Sequence, residues 1–105
     1  MDKYIEITTT TADKKDADNI SREILNNKLA ACVQIEGPIK SIYWWKDNLE
    51  ESEEWLCRIK TKKALFNQIE SVIKKMHPYE LPEIIAKEIL AGSKEYLEWM
   101  DNVVK

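Results

Sequence analysis

The chain has 105 residues, 44% hydrophobic and 33% charged, which suits one domain with a real core and a soluble surface. Sixteen basic residues against 19 acidic ones give a net charge of −3, and that argues against a nucleic-acid binder with its basic stripe. Two glycines and three prolines leave no room for a flexible linker. No apolar run reaches the ~20 residues of a membrane span, and the opening Met1-Asp2-Lys3-Tyr4 lacks the pattern of a signal peptide. An intracellular location is therefore expected, with Cys32 and Cys57 reduced and too far apart for a zinc pattern.

Tyr4 to Thr10 predicts a first strand, with Ile5 and Ile7 on one face and Tyr4, Glu6 and Thr8 on the other. Asp13 then sits as an N-cap, with Asp16 in a capping-box position. Ala17, Ile20, Ile24 and Leu25 follow at helical spacing, so a first helix is expected from Asp13 to Asn27, with Asn27 as a left-handed stop. Ala30 to Trp45 reads as one long strand, bent at Gly37-Pro38 and ending in Tyr43-Trp44-Trp45. Lys46-Asp47-Asn48 is a turn, and a third strand returns from Glu50 to Lys60. Thr61 is expected to cap a second helix whose stripe is Leu65, Ile69, Val72, Ile73 and Met76.

The stretch His77-Pro78-Tyr79-Glu80-Leu81-Pro82-Glu83 follows, holding the only histidine and two of the three prolines. Each proline pushes its predecessor out of the helical region. The helix must stop near His77, and the chain must run extended into a fourth strand through Ile84, Ile85 and Ile89. Gly92 turns the chain and Ser93 caps a last helix carrying Tyr96, Leu97, Met100, Val103 and Val104. The order β-α-β-β-α-β plus a terminal helix predicts a ferredoxin-like α/β sandwich on an antiparallel sheet, with right-handed crossovers. The hairpin of the second and third strands is too long for that sandwich. Its tip is expected to stand clear of the helices.

Lys28-Leu29-Ala30-Ala31-Cys32-Val33, Ser41-Ile42-Tyr43-Trp44-Trp45, Lys60-Thr61, the run from His77 to Ile84, and Tyr96-Leu97-Glu98-Trp99 together resemble the CutA divalent-cation-tolerance family over nearly the whole chain. The resemblance implies a ferredoxin-like fold similar to the PII signalling proteins and a cytoplasmic homotrimer. It also implies a link to tolerance of copper and other divalent cations, through binding or signalling, with no established reaction. It places a ligand cleft between protomers near His77, Tyr79 and Glu80, with Glu83 as a further carboxylate. Two departures stand out. Asp47 occupies a turn position where relatives carry glycine. Thr8 and Met76 resemble the positions where relatives with a proposed copper site carry a cysteine and a second histidine.

Residue by residue, structural roles compete with chemical ones. His77 is read first as the end of the second helix, where a cation favours the last carbonyls, ahead of a metal ligand or proton-transfer group. Tyr79, Glu80 and Glu83 are read as locking the corner with hydrogen bonds, ahead of orienting a ligand. Cys32 and Cys57 are expected as small buried hydrophobes. His77 with Cys32 is the one soft-metal pair to test, for copper or another divalent cation, and no cofactor is required. Tyr43, Trp44, Trp45 and Trp55 are expected in a protomer–protomer contact, and the acidic run Glu50 to Glu54 as a solvated edge. The expectation is a binding protein rather than an enzyme. Its partners are copies of itself and a metal ion or small molecule, with neither nucleic acid nor membrane. A soft-metal carrier lacks its Cys-x-x-Cys loop here. A small acylphosphatase-like enzyme lacks an arginine beside a glycine-rich loop.

Overall fold

Alternating apolar residues in the first strand and a 3.6-residue apolar rhythm in two helices dictate a sheet with helices laid on one face. The computed structural model describes residues 3–105, so the reading of Met1 and Asp2 lies outside the described residues. Strand β1 (Tyr4–Thr11) is followed by α1 (Lys14–Asn26), β2 (Cys32–Trp45), β3 (Asn48–Lys62), α2 (Phe66–Met76), β4 (Ile85–Glu88) and α3 (Lys94–Val103). The sheet runs β2-β3-β1-β4, with every neighbouring pair antiparallel. This is the expected ferredoxin-like sandwich.

Ile5, Ile7 and Ile59 of the sheet pack with Ile20 and Ile24 of α1 and Ile69 and Ile73 of α2 in one buried cluster. Each such side chain contributes about 1.5–3 kcal/mol, which is what keeps the helices on this face. The other face carries Tyr4, Glu6, Thr8 and Thr10. Only its far end is approached by α3, where Tyr4 Oη donates to Asp101 Oδ2 at 2.6 Å and Lys62 Nζ lies 3.6 Å from Asp101 Oδ1.

Caps explain the helix ends, with two corrections. Asp13 Oδ1 accepts from Asp16 N at 2.9 Å and Ser93 Oγ accepts from Tyr96 N at 3.1 Å, as the sequence predicts. The left-handed stop of α1 falls one residue later than expected: Asn27 has φ −91° and Lys28 has φ 59°. The Asn27 side chain closes the last turn instead, donating from Nδ2 to Glu23 O at 2.8 Å. Thr61 does not cap α2. Pairing of β3 with β1 continues to Lys62, so Thr61 stays in the strand and donates from Oγ1 to Leu29 O at 2.5 Å. Helix α2 starts instead from a 3₁₀ turn over Lys63–Leu65, without a side-chain cap.

The hairpin outruns the rest of the sheet. Strand β1 pairs with β3 only over Trp55–Lys62, so the stretch from Asn48 to Glu54, with its partners Ile39 to Trp45, has no third strand among the described residues. This makes the molecule 44 Å long against 25 and 22 Å across. At the tip, Lys46 (φ 49°) and Asp47 (φ 67°) are both left-handed, as a two-residue hairpin loop matched to strand twist demands. A bulge lies between Glu36 and Ile39, where Gly37-Pro38 is a cis peptide. Gly37 is required there, since a Cβ would stand 2.6 Å from the Trp55 ring. Among the described residues no helix is long and apolar enough to cross a membrane.

Candidate functional site

Pro78 forces His77 into an extended conformation, φ −77° and ψ 131°, and α2 ends with His77 N donating to Ile73 O at 2.8 Å. The imidazole is buried. Its Nδ1 accepts from Tyr79 N at 3.1 Å, and its Nε2 lies 2.7 Å from Thr10 O. A backbone N–H can only donate, so Nδ1 carries the lone pair and Nε2 carries the proton given to Thr10 O. His77 therefore ends the helix as expected, but as a strut to β1 and not as a cation over the last carbonyls.

The corner continues the same way. The Tyr79 ring lies 4.6 Å from the His77 ring, and its hydroxyl donates to Glu54 Oε2 at 2.7 Å. Burial, with the Glu54 carboxylate beside it, pushes the Tyr79 hydroxyl above the usual phenol range. Glu83 Oε2 accepts from Thr8 Oγ1 at 3.0 Å, which gives Thr8 a structural role. Glu80 is exposed and meets Lys46 Nζ at 3.8 Å, and that same ammonium lies 5.5 Å from the Trp45 ring centre.

These contacts close a groove of about 900 Å³ between the hairpin and the corner. Tyr43 and Trp45, with the strand at Trp44 between them, form one wall; Leu81, Pro82 and Ile84 form part of the other. Thr10 and Glu54 are its buried members. Glu54 was expected on a solvated edge, and only 5% of it is exposed. It shares a sheet face with Leu56 and Arg58, and the phenol that covers it comes from 25 residues away in sequence. Nothing local in the acidic run distinguishes Glu54 from Glu53. The groove thus gathers Tyr43, Trp44, Trp45, Tyr79, Glu80 and Glu83 from the predicted set and adds Glu54, Thr10 and Ser41.

Three predicted members do not line the groove: His77 is buried and bonded to Thr10 O and Tyr79 N, and Trp55 and Cys32 fall elsewhere. Trp55 packs on Gly37 with Lys14 Nζ 5.5 Å from its ring, on the helix side of the sheet, opposite to Tyr43 and Trp45. Cys32 stands opposite Lys60, which stands opposite Glu6. His77 is tied to Thr10, further along β1 by about 13 Å at ~3.3 Å per residue. Cys32 and His77 are therefore at opposite ends of the sheet. Both His77 nitrogens are engaged, Met76 is exposed at the end of α2, and no three His, Cys, Asp or Glu side chains converge on one ion among the described residues. A copper ion on His77 and Cys32 does not fit. Cys57 is buried beside Ser21, and burial raises its thiol pKa, so it stays an inert core residue.

Residues 5–103 match the model of the CutA1 divalent ion tolerance protein family. The chain belongs to the CutA1 family. It is 38% identical over 105 residues to the divalent-cation tolerance protein CutA of Archaeoglobus fulgidus, covering all of both chains. It is 37% identical over 98 residues to the chloroplastic Protein CutA 1 of Oryza sativa, covering 93% of this chain and 55% of that one. The chain thus spans about half the length of the rice relative. The solved structure of the periplasmic divalent cation tolerance protein CutA from Archaeoglobus fulgidus superposes with a TM-score of 0.94 at 37% identity, over 97% of this chain and 99% of that one. One CutA relative is thus described as periplasmic and another as chloroplastic, which overturns the expectation of a cytoplasmic location.

Proposed function

We propose that this CutA1-family chain serves divalent-cation tolerance as a non-catalytic binding protein. It works as a homotrimer whose ligand site is the groove between hairpin and corner. The observation that carries this reading is the unpaired reach of the hairpin. Ile42, Trp44 and Leu49 are 60, 73 and 62% exposed on a stretch with no third strand among the described residues. Bare strand edges recruit other strands, and contiguous bare apolar patches mark interfaces. Cyclic closure satisfies each hairpin with the next protomer, and the family resemblance supplies the number three. The binding role is supported by the corner, where the histidine and phenol are spent on internal hydrogen bonds.

Light scattering on the purified protein at micromolar concentration tests the assembly, with a mass three times 12.3 kDa expected. Replacing Trp44 and Trp45 together with Ser removes two aromatic side chains worth about 1.5–3 kcal/mol each when buried. The double variant is expected to dissociate while its far-UV spectrum stays that of the folded sandwich. A monomeric wild-type protein overturns the reading, as does a double variant that remains fully trimeric with unchanged melting.

A further inference from the structure

The groove has a one-sided chemistry. Its lining includes three carboxylates, Glu54, Glu80 and Glu83, and no lysine, arginine or histidine. Phosphates, nucleotides and carboxylic acids are therefore repelled by it. Its other notable members are π-faces on the Glu54 side: Tyr43, Trp45 and Tyr79. Aromatic faces attract cations through their quadrupole, best of all when the cation is desolvated.

Two observations point to the kind of cation. The first is Glu54, 95% removed from solvent yet lining the groove. Its Oε2 is taken by the Tyr79 hydroxyl; its Oε1 makes no hydrogen bond but keeps some access to the groove, and no Lys, Arg or His pairs with it, among the described residues. A buried carboxylate without a counter-charge is costly, and a positively charged ligand offsets that cost. The second is Lys46. The chain's own ammonium already sits at the edge of this groove, 3.8 Å from Glu80 Oε1 and 5.5 Å from the Trp45 ring centre. That contact is an internal example of the recognition the groove offers.

A bare divalent ion suits this arrangement poorly. Such an ion needs several oxygens converging at 2.0–2.6 Å, and the acidic side chains do not converge on one point among the described residues. A diffuse charge on a carbon skeleton suits it well: the charge meets separated carboxylates and ring faces, and the skeleton lies on Leu81, Pro82 and Ile84. A groove of about 900 Å³ lies within the ordinary range for small-molecule sites. We infer that the groove binds an organic ammonium ion, with its charged head at Glu54 and the Trp45 and Tyr43 faces and its apolar body along the Leu81–Ile84 wall. The inference rests on the groove being the ligand site, and it makes Lys46 a tethered competitor at the entrance.

The test is calorimetric titration of the full chain with n-butylammonium chloride. 1-Butanol serves as the uncharged control, and magnesium chloride and inorganic phosphate as the hard-cation and anion controls. Assembly mass is read on the same samples. Saturable binding of butylammonium is expected, with no binding of butanol or phosphate. Glu54→Gln keeps an acceptor for the Tyr79 hydroxyl but removes the charge, so affinity should fall about tenfold or more. Lys46→Ala frees the entrance, so affinity should rise several-fold with no change in melting. Lys46 is exposed, so loss of folding does not confuse that variant. Butanol binding as well as butylammonium, magnesium binding in place of the amine, or unchanged affinity in both variants each overturns the inference. A trimer that binds no amine defeats this inference alone; a monomer defeats the broader reading.

Discussion

The two walls of the groove are built on opposite principles. In the corner from His77 to Glu83, the polar groups other than Glu80 turn inward. Both imidazole nitrogens, the Tyr79 hydroxyl and a Glu83 oxygen all find partners within the chain. On the hairpin wall the rings turn outward, and the polar ties are few: Tyr43 Oη to Ser52 Oγ at 3.2 Å, and the Lys46 contact with Glu80. The stretch with the densest reactive chemistry is thus the scaffold. The stretch with little classical chemistry is the one left open to bind. Reactivity of a side chain and its availability are separate questions, and hydrogen-bond accounting decides the second.

Substitutions can break this contrast from the corner side. The largest expected effect is His77→Ala, which leaves Thr10 O and Tyr79 N without their buried partners and should cost about 3 kcal/mol of unfolding free energy. Guanidinium unfolding reads it, and an unchanged midpoint would make His77 a free functional group after all. Next is Tyr79→Phe, expected to lose about 1–3 kcal/mol because Glu54 stays buried without its donor. The same bond has a pH signature. The folded Tyr79 holds its proton above the usual phenol value, so its stabilisation is present below about pH 10 and is lost as the pH rises beyond that. Tyr4, raised by its bond to Asp101, acts with the same sign. Melting temperature followed from pH 9 to 11, on an approximate scale set by the free phenol, should fall less steeply in Tyr79→Phe than in the wild type. The smallest effect tests the hairpin side. Asp47 sits at φ 67°, where glycine carries no Cβ penalty, so Asp47→Gly should be neutral or stabilising by up to about 1 kcal/mol. A loss there would show that the Asp47 carboxylate does something its geometry does not reveal.

Much of the architecture was legible because it rests on local rules. Two prolines stop a helix, Asp13 and Ser93 cap, alternation gives strands, and Asp47 tolerates a left-handed turn. The misses share a cause: each depends on a partner far away in sequence. Thr61 looks like a helix cap until β1 is found pairing beyond it. Trp55 looks like one of the hairpin aromatics until Gly37 is found under its ring. Cys32 and His77 look like a ligand pair until strand register separates them. Glu54 looks like its neighbours until Tyr79 folds over it. Of the candidate site, the aromatic wall and the corner residues were readable, while the buried acid between them was not.

The bulge beside Gly37 has a further consequence, which concerns phase. Glu36 stands opposite Leu56, yet Ile39 stands opposite Glu54: three steps along β2 match two along β3. Side chains alternate strictly along a strand, so one extra step exchanges the two sides of everything beyond it. Before the bulge, even-numbered residues of β2 share the side of Leu56 and Arg58; after it, odd-numbered ones do. Tyr43 and Trp45 consequently lie on the same side as Glu54, and Ile42 and Trp44 are turned to the reverse. A hairpin of the same composition without that added residue would present isoleucine and Trp44 on the Glu54 side and carry Tyr43 and Trp45 away from it. The choice of rings that meet the buried acid is thus made several residues earlier, by a single irregular step in the ladder.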